Sequence, residues 1–168
     1  MNISIDLSQS SIKSAIKQLE QYRDSLKSKD ELFVERLAVL GIPVIQEAIS
    51  FSKSDSNKNV DKEIIVGKSD NGKTQAVLRI SGKDVLFFEF GSGIYHNPTN
   101  TPHADKFGYG IGTYPGQKHA FDENGWWYRD SSGAHHSYGT EATMPMLKAS
   151  NEIIRNIRKI AREVYGSK

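Results

Sequence analysis

Residues 67–74 carry the most specific chemical pattern in the sequence, because they match the phosphate-binding spacing G-x-x-x-x-G-K-[ST]. A functional loop of this kind opens a helix whose N-terminal amides meet the phosphates. Here residues 74–80 alternate apolar and polar side chains, as a strand does. Asp70-Asn71-Gly72-Lys73 supplies instead the residues of a tight hairpin turn. We therefore predict a β-hairpin at this position and no nucleotide site.

All five histidines of the chain lie between residues 96 and 136, which raises the question of a metal site. The helical metalloprotease pattern H-E-x-x-H is absent from the sequence. Two adjacent histidines on a strand point to opposite faces and do not easily share one metal. A metal-dependent hydrolase remains an alternative, with His119, His135 or His136 as ligands and Asp105, Asp122 or Glu123 as carboxylates.

Residues 91–141 also concentrate glycine and aromatic side chains, with 9 of the 14 glycines and both tryptophans. Large rings of this kind stack on nucleic-acid bases or sugars, or pack against a neighbouring subunit. A long segment without helical periodicity needs something to cover its rings, so we favour subunit contact over ligand stacking. The rings concerned belong to Tyr114, Phe121, Trp126, Trp127 and Tyr128.

Two further patterns lack the context that their chemistry needs. The glycines at 108, 110 and 112 complete G-x-G-x-x-G in neither register, and no helix pattern follows them. No serine lies in a G-x-S-x-G nucleophile elbow, and Gly91-Ser92-Gly93 has the composition of a turn. We predict a flexible glycine-rich loop at the first segment and no serine nucleophile at the second.

The composition describes one soluble domain spanning residues 1–168. The chain has 168 residues, with 22 Lys and Arg against 20 Asp and Glu, and no cysteine. The absence of cysteine excludes disulfides, thiolate nucleophiles and Cys-ligated zinc or iron–sulfur clusters. The apolar runs are far shorter than the roughly 20 residues that span a bilayer, and the first residues begin no signal peptide, so we expect a cytosolic protein without membrane contact.

Helical periodicity occupies both ends of the chain. After a short strand over residues 3–7, we predict a helix capped by Ser8 or Ser10, and a second helix that begins near Ser28 or Asp30. Pro43 lacks an amide hydrogen, so we expect it to kink or interrupt the second helix. A third helix begins near Met146 and ends at Gly166. We predict Thr143 as its N-cap and Pro145 in its first turn.

The middle of the chain is predicted to form strands. Residues 63–66 and 74–80 make the hairpin described above, and residues 85–90 form a third strand that is apolar on both faces. Residues 126–129 and 134–138 make a second hairpin. The predicted fold class is therefore α+β, an antiparallel sheet packed against N-terminal helices and a C-terminal amphipathic helix, with a loop and hairpin insertion at about 91–141.

The hexapeptide F-E-F-G-S-G at residues 88–93 resembles the V-E-F-G-T-G signature of the tailed-phage neck and tail-completion proteins, a minor tail component family of head–tail joining proteins. The segment A-T-M-P-M at 142–146 is similar to the family's A-x-x-P-F/M, which precedes a C-terminal helix. The segment G-W-W-Y at 125–128 resembles an insertion of members from phages and prophages of Gram-positive bacteria. The resemblance covers residues 85–165, with serine and methionine at 92 and 146 in place of threonine and the commoner phenylalanine.

This resemblance implies a structural virion protein without catalysis or cofactor. Its subunits would form a homo-oligomeric ring, of six or alternatively twelve copies, between the head-side connector or stopper proteins and the tail terminator or tail tube, with DNA passing through it irrespective of sequence. Residues 88–93 and 145–146 would be structural positions where a strand end turns at glycine and a proline starts a helix. The virion neck, and the host cytoplasm during assembly, would be its location.

Two sets of residues follow as candidate sites. We predict contacts with neighbouring subunits or neck proteins for Phe88, Glu89, Phe90, Gly91, Tyr114, Trp126, Trp127, Tyr128, His135 and His136. The last 27 residues hold 6 basic and 2 acidic side chains, and those predicted to face the DNA channel are Arg155, Arg158, Lys159 and Arg162. A nucleic-acid-binding domain that uses the tryptophans and this basic helix remains a further alternative.

Overall fold

A computed structural model of the chain describes residues 6, 8–52, 60–82, 84–96, 101, 103–110, 119 and 121–166. Within these ranges the elements are, in chain order, α1 (Gln9–Ser50), β1 (Asp61–Lys68), β2 (Thr74–Ser81), α2 (Val85–Phe90), a 3-10 turn (Ala104–Phe107), β3 (Trp126–Asp130), β4 (Gly133–Ser137) and α3 (Pro145–Tyr165). The strands form two separate two-stranded antiparallel sheets. The α+β class predicted from the sequence is confirmed.

Helix α1 is one continuous helix of 42 residues, so the prediction of two helices with a break was wrong. Ser8 caps it as expected, because its side-chain oxygen accepts a hydrogen bond from the amide of Ser11 (3.2 Å). Pro43 lies inside the helix and is exposed. Buried Ala38 and Ile45 lie on either side of it, and their packing holds the helix together although one amide bond is missing. The strand predicted over residues 3–7 falls outside the described residues, except for Asp6.

The first hairpin forms as predicted. Strands β1 and β2 pair antiparallel from Asp61 with Ser81 to Lys68 with Thr74. The turn closes through a hydrogen bond from the amide of Ser69 to the carbonyl of Lys73 (2.9 Å). Gly72 has φ 76°, a left-handed conformation that glycine adopts without strain. The phosphate-loop pattern at 67–74 therefore spans a strand, a turn and the start of a strand, and it opens no helix.

Residues 85–90 form the short helix α2, which corrects the prediction of a third strand. Phe88, Glu89 and Phe90 are all buried, at 0%, 5% and 4% exposure. A helix turn points three consecutive side chains in three directions, and here each direction is covered. A run that is apolar all round is compatible with a buried strand or a buried helix, and periodicity alone does not distinguish them.

Helix α3 packs antiparallel against the C-terminal half of α1. Ala149, in its second turn, lies beside Gly41, whereas Tyr165 at its other end donates a hydrogen bond to Asp30 (2.7 Å). Burial raises the pKa of Tyr165 to about 12, and the hydrogen bond to Asp30 contributes to this rise. The phenol therefore remains a donor at neutral and moderately alkaline pH. The predicted end of α3 at Gly166 is confirmed.

The main core lies where α1, α2, α3 and the first hairpin meet. Its buried members are Ile45, Ile49, Val60, Phe88 and Ala149. Leu78 and Ile80 of β2 pack against this cluster from the sheet. A smaller cluster unites Phe90 with Ala104 and Tyr109. Helix α2 thus contributes Phe88 to the main core and Phe87 and Phe90 to the smaller cluster, and it joins the two.

Replacement of Pro43 by alanine tests the continuity of α1. Alanine restores the amide donor and removes the clash of the proline ring with the preceding turn, so we expect Pro43→Ala to increase the free energy of unfolding by about 1–3 kcal/mol. Urea denaturation followed by circular dichroism measures the change. The control is Gln46→Ala, another exposed position of the same helix, which restores no backbone bond. A Pro43→Ala variant no more stable than the control would contradict this account.

Candidate functional site

Glu89 of α2 lies at the N-terminus of α3, where its side chain is 7% exposed. One carboxylate oxygen accepts a hydrogen bond from the amide of Met146 (2.7 Å), and the other accepts one from the amide of Leu147 (3.0 Å). The first amides of a helix have no partner in their own helix, and the helix dipole is positive at this end. Glu89 therefore joins α2 to α3 by a charge-assisted contact in a nearly dry environment.

The cap of α3 differs from the predicted one. Met144, not Thr143, is the N-cap residue, and no side chain of the N-cap itself makes a capping hydrogen bond. Met144 has φ 53°, in the left-handed region that residues other than glycine seldom adopt. The amides of Thr143 and Met144 both donate to the carbonyl of Phe88 (2.8 and 3.0 Å). The local conformation is therefore held by contacts with α2.

His103 completes this junction from the 3-10 segment. Its Nε2 lies 2.5 Å from a carboxylate oxygen of Glu89, and its ring packs against Phe90 with 5.1 Å between the ring centroids. Because the carboxylate accepts the bond, Nε2 carries the hydrogen. The other ring nitrogen, Nδ1, is buried without a hydrogen-bond partner in the described part of the chain. This histidine thus has a positioning contact with Glu89 and was not among the residues singled out from the sequence.

Gly91 and Gly93 follow α2 at a close approach of two backbone segments. Ser92 exchanges backbone hydrogen bonds with Thr140 (2.9 and 3.2 Å). Gly91 has φ 81°, and a Cβ atom there would meet backbone atoms of His96, Thr140 and Ala142. Two of the three segments that carry the family resemblance, residues 88–93 and 142–146, therefore touch each other directly although about 50 residues separate them in the chain.

The predicted contact residues divide into two groups. The side chains of Phe88, Glu89 and Phe90 are buried in the chain itself, and Gly91 is buried beside them, so their place is inside the subunit and not on its surface. These four residues are thus placed unfavourably for the partner contacts predicted for them. Tyr114 lies outside the described residues. The other predicted contact residues all belong to the second hairpin, which forms as expected.

The second hairpin presents its aromatic side chains in cross-strand pairs. Trp127 is 70% exposed and packs against His136 (4.9 Å between ring centroids), whereas Tyr128 stacks on His135 (5.2 Å). The register places Trp127 opposite His136 and Tyr128 opposite His135. Because neighbouring residues of a strand face opposite sides, His135 and His136 do not meet. The hairpin therefore carries an aromatic surface with one largely uncovered tryptophan.

His119, the third histidine of the metal-site hypothesis, lies beside Asp122, one of its carboxylate candidates. His119 Nδ1 lies 2.7 Å from a carboxylate oxygen of Asp122, and its ring stacks on Trp126. His135 Nε2 lies 2.9 Å from the hydroxyl of Ser132. Within the ranges that the structure describes, no three metal-ligating side chains converge. The metal-hydrolase hypothesis has no ligand set in that part of the chain.

The basic residues of α3 form an exposed surface. Arg155, Arg158, Lys159 and Arg162 are all exposed, and the Arg155 side chain is 76% exposed. Arg155 lies near Glu152 (3.8 Å), a surface pair that contributes little to stability. The arrangement is compatible with contact to an anionic partner. That these residues face a DNA channel remains a prediction.

Helix α1 has an exposed apolar surface in its N-terminal half. Ile12, Ile16, Leu19 and Tyr22 follow each other at helical spacing, and each is 44–52% exposed. We call these four residues the α1 stripe. Periodicity identified them as one face of a helix, but it does not tell whether that face packs within the chain or against another one.

Comparison of the chain with protein-family models, with curated proteins and with solved structures finds no match. Among the helices in the described residues, none has the length and apolar character that crossing a membrane requires.

The Glu89 junction is tested by its conservative variant. Glu89→Gln removes the charge and presents amide hydrogens to backbone donors, so we expect a loss of about 2–4 kcal/mol in the free energy of unfolding. Denaturant titration measures the loss. Glu141→Gln, an exposed carboxylate close in sequence to the same junction, serves as the control and is expected to change little. Equal stabilities of the two variants would show that the Glu89 carboxylate does not stabilise the contact between α2 and α3.

The close approach at Gly91 is tested against a second glycine with positive φ. Gly91 and Gly108 have φ 81° and 68°, but their ψ angles are 176° and 23°, and an added Cβ meets backbone atoms only at Gly91. Gly108→Ala should lose about 1 kcal/mol from its left-handed conformation, and Gly91→Ala should lose at least about 2 kcal/mol more, from displaced backbone and from a backbone region that essentially only glycine adopts. Thermal unfolding of both variants gives the difference. The contact account fails if the two losses are the same.

Proposed function

We propose that this protein is a structural assembly subunit of a tailed phage or prophage, which forms a ring at the neck and joins the tail to the head connector around the DNA channel. In this proposal the protein acts by shape and subunit contacts and performs no catalysis. Its partners are further copies of itself, the connector or stopper proteins on the head side, and the tail terminator or tail tube.

The contact between the two motifs is the observation that supports this proposal most directly. The family resemblance rests on three short segments, and none of them is specific alone; two of them, residues 88–93 and 142–146, meet in the structure. In the structure Glu89 of the first segment binds the amide of Met146 in the second, and Phe88 binds the amides of Thr143 and Met144. The residues of these two segments thus form a single junction, as expected if they are structural positions of one fold.

The exposed apolar surfaces are the second support. Trp127 and Phe121 are 70% and 69% exposed, and the α1 stripe adds four large side chains. Single exposed apolar residues are normal, but a row of them along one helix face is typical of a surface that another protein covers. A subunit that is incomplete without its neighbours explains this pattern better than an independent enzyme does.

The basic surface of α3 is compatible with a DNA channel. Its four exposed cations would be repeated in every copy of a ring, so their effect on a phosphate backbone adds up without any base contact. The same residues are the basis of the alternative nucleic-acid-binding hypothesis. The two hypotheses differ in stoichiometry, since a free binding domain needs no ring.

Deletion of the gene in the phage or lysogen that encodes this chain tests the proposed function. We expect DNA-filled heads and complete tails that remain separate, which electron microscopy of the lysate detects directly. Expression of the wild-type chain from a plasmid should restore joined particles, and specific antibodies should then label the neck. Normal numbers of joined infectious particles in the deletion would refute the proposal.

Point variants in the same complementation experiment test the aromatic hairpin. Trp127→Ser should lower the yield of joined particles at least about tenfold, because an exposed tryptophan is a frequent centre of binding energy at an interface. Phe51→Ser is the matched control, since Phe51 is also 70% exposed but lies at the end of α1. The hairpin has no contact role if both variants complement equally.

A further inference from the structure

Helix α1 carries a second apolar surface besides its stripe, in a groove that it forms with α3. This α1–α3 groove has a volume of about 400 Å³. Leu32 and Val39 are 41% and 49% exposed there, and buried Ile160 of α3 closes the floor. The remaining lining residues are Glu35, Arg36 and Leu40. A groove of this kind between two packed helices can hold the apolar face of a third helix.

The α1 stripe cannot occupy the α1–α3 groove of its own chain. Both lie on the same continuous helix, and the 17 residues from Leu19 to Arg36 correspond to about 26 Å of helix at 1.5 Å per residue. A rigid helix does not fold back on itself over that length. Each copy therefore presents one unoccupied helix face and one unoccupied groove.

Charge along α1 favours the pairing of the two surfaces between copies. Residues 9–27 contain four basic and two acidic side chains, whereas residues 28–50 contain two basic and four acidic ones. Within α1 the segment with the stripe is thus net positive and the segment with the groove is net negative, whereas α3, the other wall of the groove, is basic, so the complementarity depends on the charged residues that line the groove itself. On the groove rim Arg36 pairs with Glu163 of α3 (3.5 Å), and the exposed Glu35 makes no ion pair within the described residues. Exposed Lys13 and Lys17 flank the stripe.

We propose that the α1 stripe of one copy occupies the α1–α3 groove of the next copy, so that the chain assembles head to tail. This inference rests on the proposed function and specifies how its ring would close. A stripe-to-groove contact joins two different surfaces, so every bound copy leaves a further stripe and a further groove available. Such a contact produces a ring when the rotation between copies closes, and a filament when it does not. A stripe-to-stripe contact would stop at a dimer.

Two variants that each block one surface test this arrangement. The stripe variant carries Ile16→Asp and Leu19→Asp, and the groove variant carries Leu32→Asp and Val39→Asp. All four side chains are 41–52% exposed, so the fold should tolerate the changes, and circular dichroism checks this. A control with Gln18→Asp and Gln21→Asp introduces the same residues at exposed positions outside the stripe. Sedimentation velocity at high protein concentration measures assembly of the full chain.

We expect the wild type and the control to associate beyond a dimer, and each blocked variant alone to associate at least about thirtyfold more weakly, as for loss of an interface hot spot. An equimolar mixture of the two variants should form a heterodimer and nothing larger, because one intact stripe meets one intact groove. A groove variant that still forms homodimers would overturn the inference in favour of stripe-to-stripe pairing. A wild type that remains monomeric would also overturn it.

The results of this test do not depend on whether the proposed function is correct. Unattached heads and tails in the deletion experiment, together with a monomeric wild type in solution, would keep the neck role and reject the stripe-to-groove contact. Normal particles in the deletion, together with stripe-to-groove assembly in solution, would keep the contact and reject the neck role.

Discussion

The contact between the Glu89 carboxylate and the first amides of α3 is the constraint on which the rest of the structure depends. It fixes the start of α3 relative to α2, and α2 in turn places Phe88 in the main core and Phe90 in the smaller cluster. A buried carboxylate without partners would be strongly unfavourable, and here two amides of α3 and His103 supply the partners.

The features that were predicted correctly are those that depend on neighbours in the chain. Ser8 caps α1, the Asn71-Gly72 turn closes the first hairpin, and apolar periodicity identifies α3. The errors concern long-range contacts. The position of Thr143 predicts it as the cap, but the amide of Met146 binds a carboxylate 57 residues away in sequence. No pattern among neighbouring residues of the sequence predicts such a distant partner. Similarly, tertiary packing on both sides of Pro43 overrides the helix-breaking tendency of proline.

For the candidate site, the sequence shows which residues are unusual better than it shows whether they lie inside the subunit or on its surface. The F-E-F-G-S-G segment stood out by its composition, and the structure places its large side chains inside the subunit. The α1 stripe is the converse case, because large apolar side chains at helical spacing lie at the surface. An amphipathic pattern reports that a face is covered, and it does not report which chain covers it. Assembly surfaces are for this reason the hardest features to identify from one sequence.

The unbroken course of α1 has a consequence for how this protein can change over evolutionary time. Each residue inserted into an α-helix turns everything beyond it by about 100°, so one insertion between Tyr22 and Leu32 would aim the stripe and the groove in unrelated directions. An insertion of seven residues would nearly preserve the angle but lengthen the arm by about 10 Å. Substitutions in this stretch leave both quantities unchanged. In the proposed stripe-to-groove assembly, the angular phase between the two surfaces thus makes this segment tolerant of new side chains and intolerant of new length.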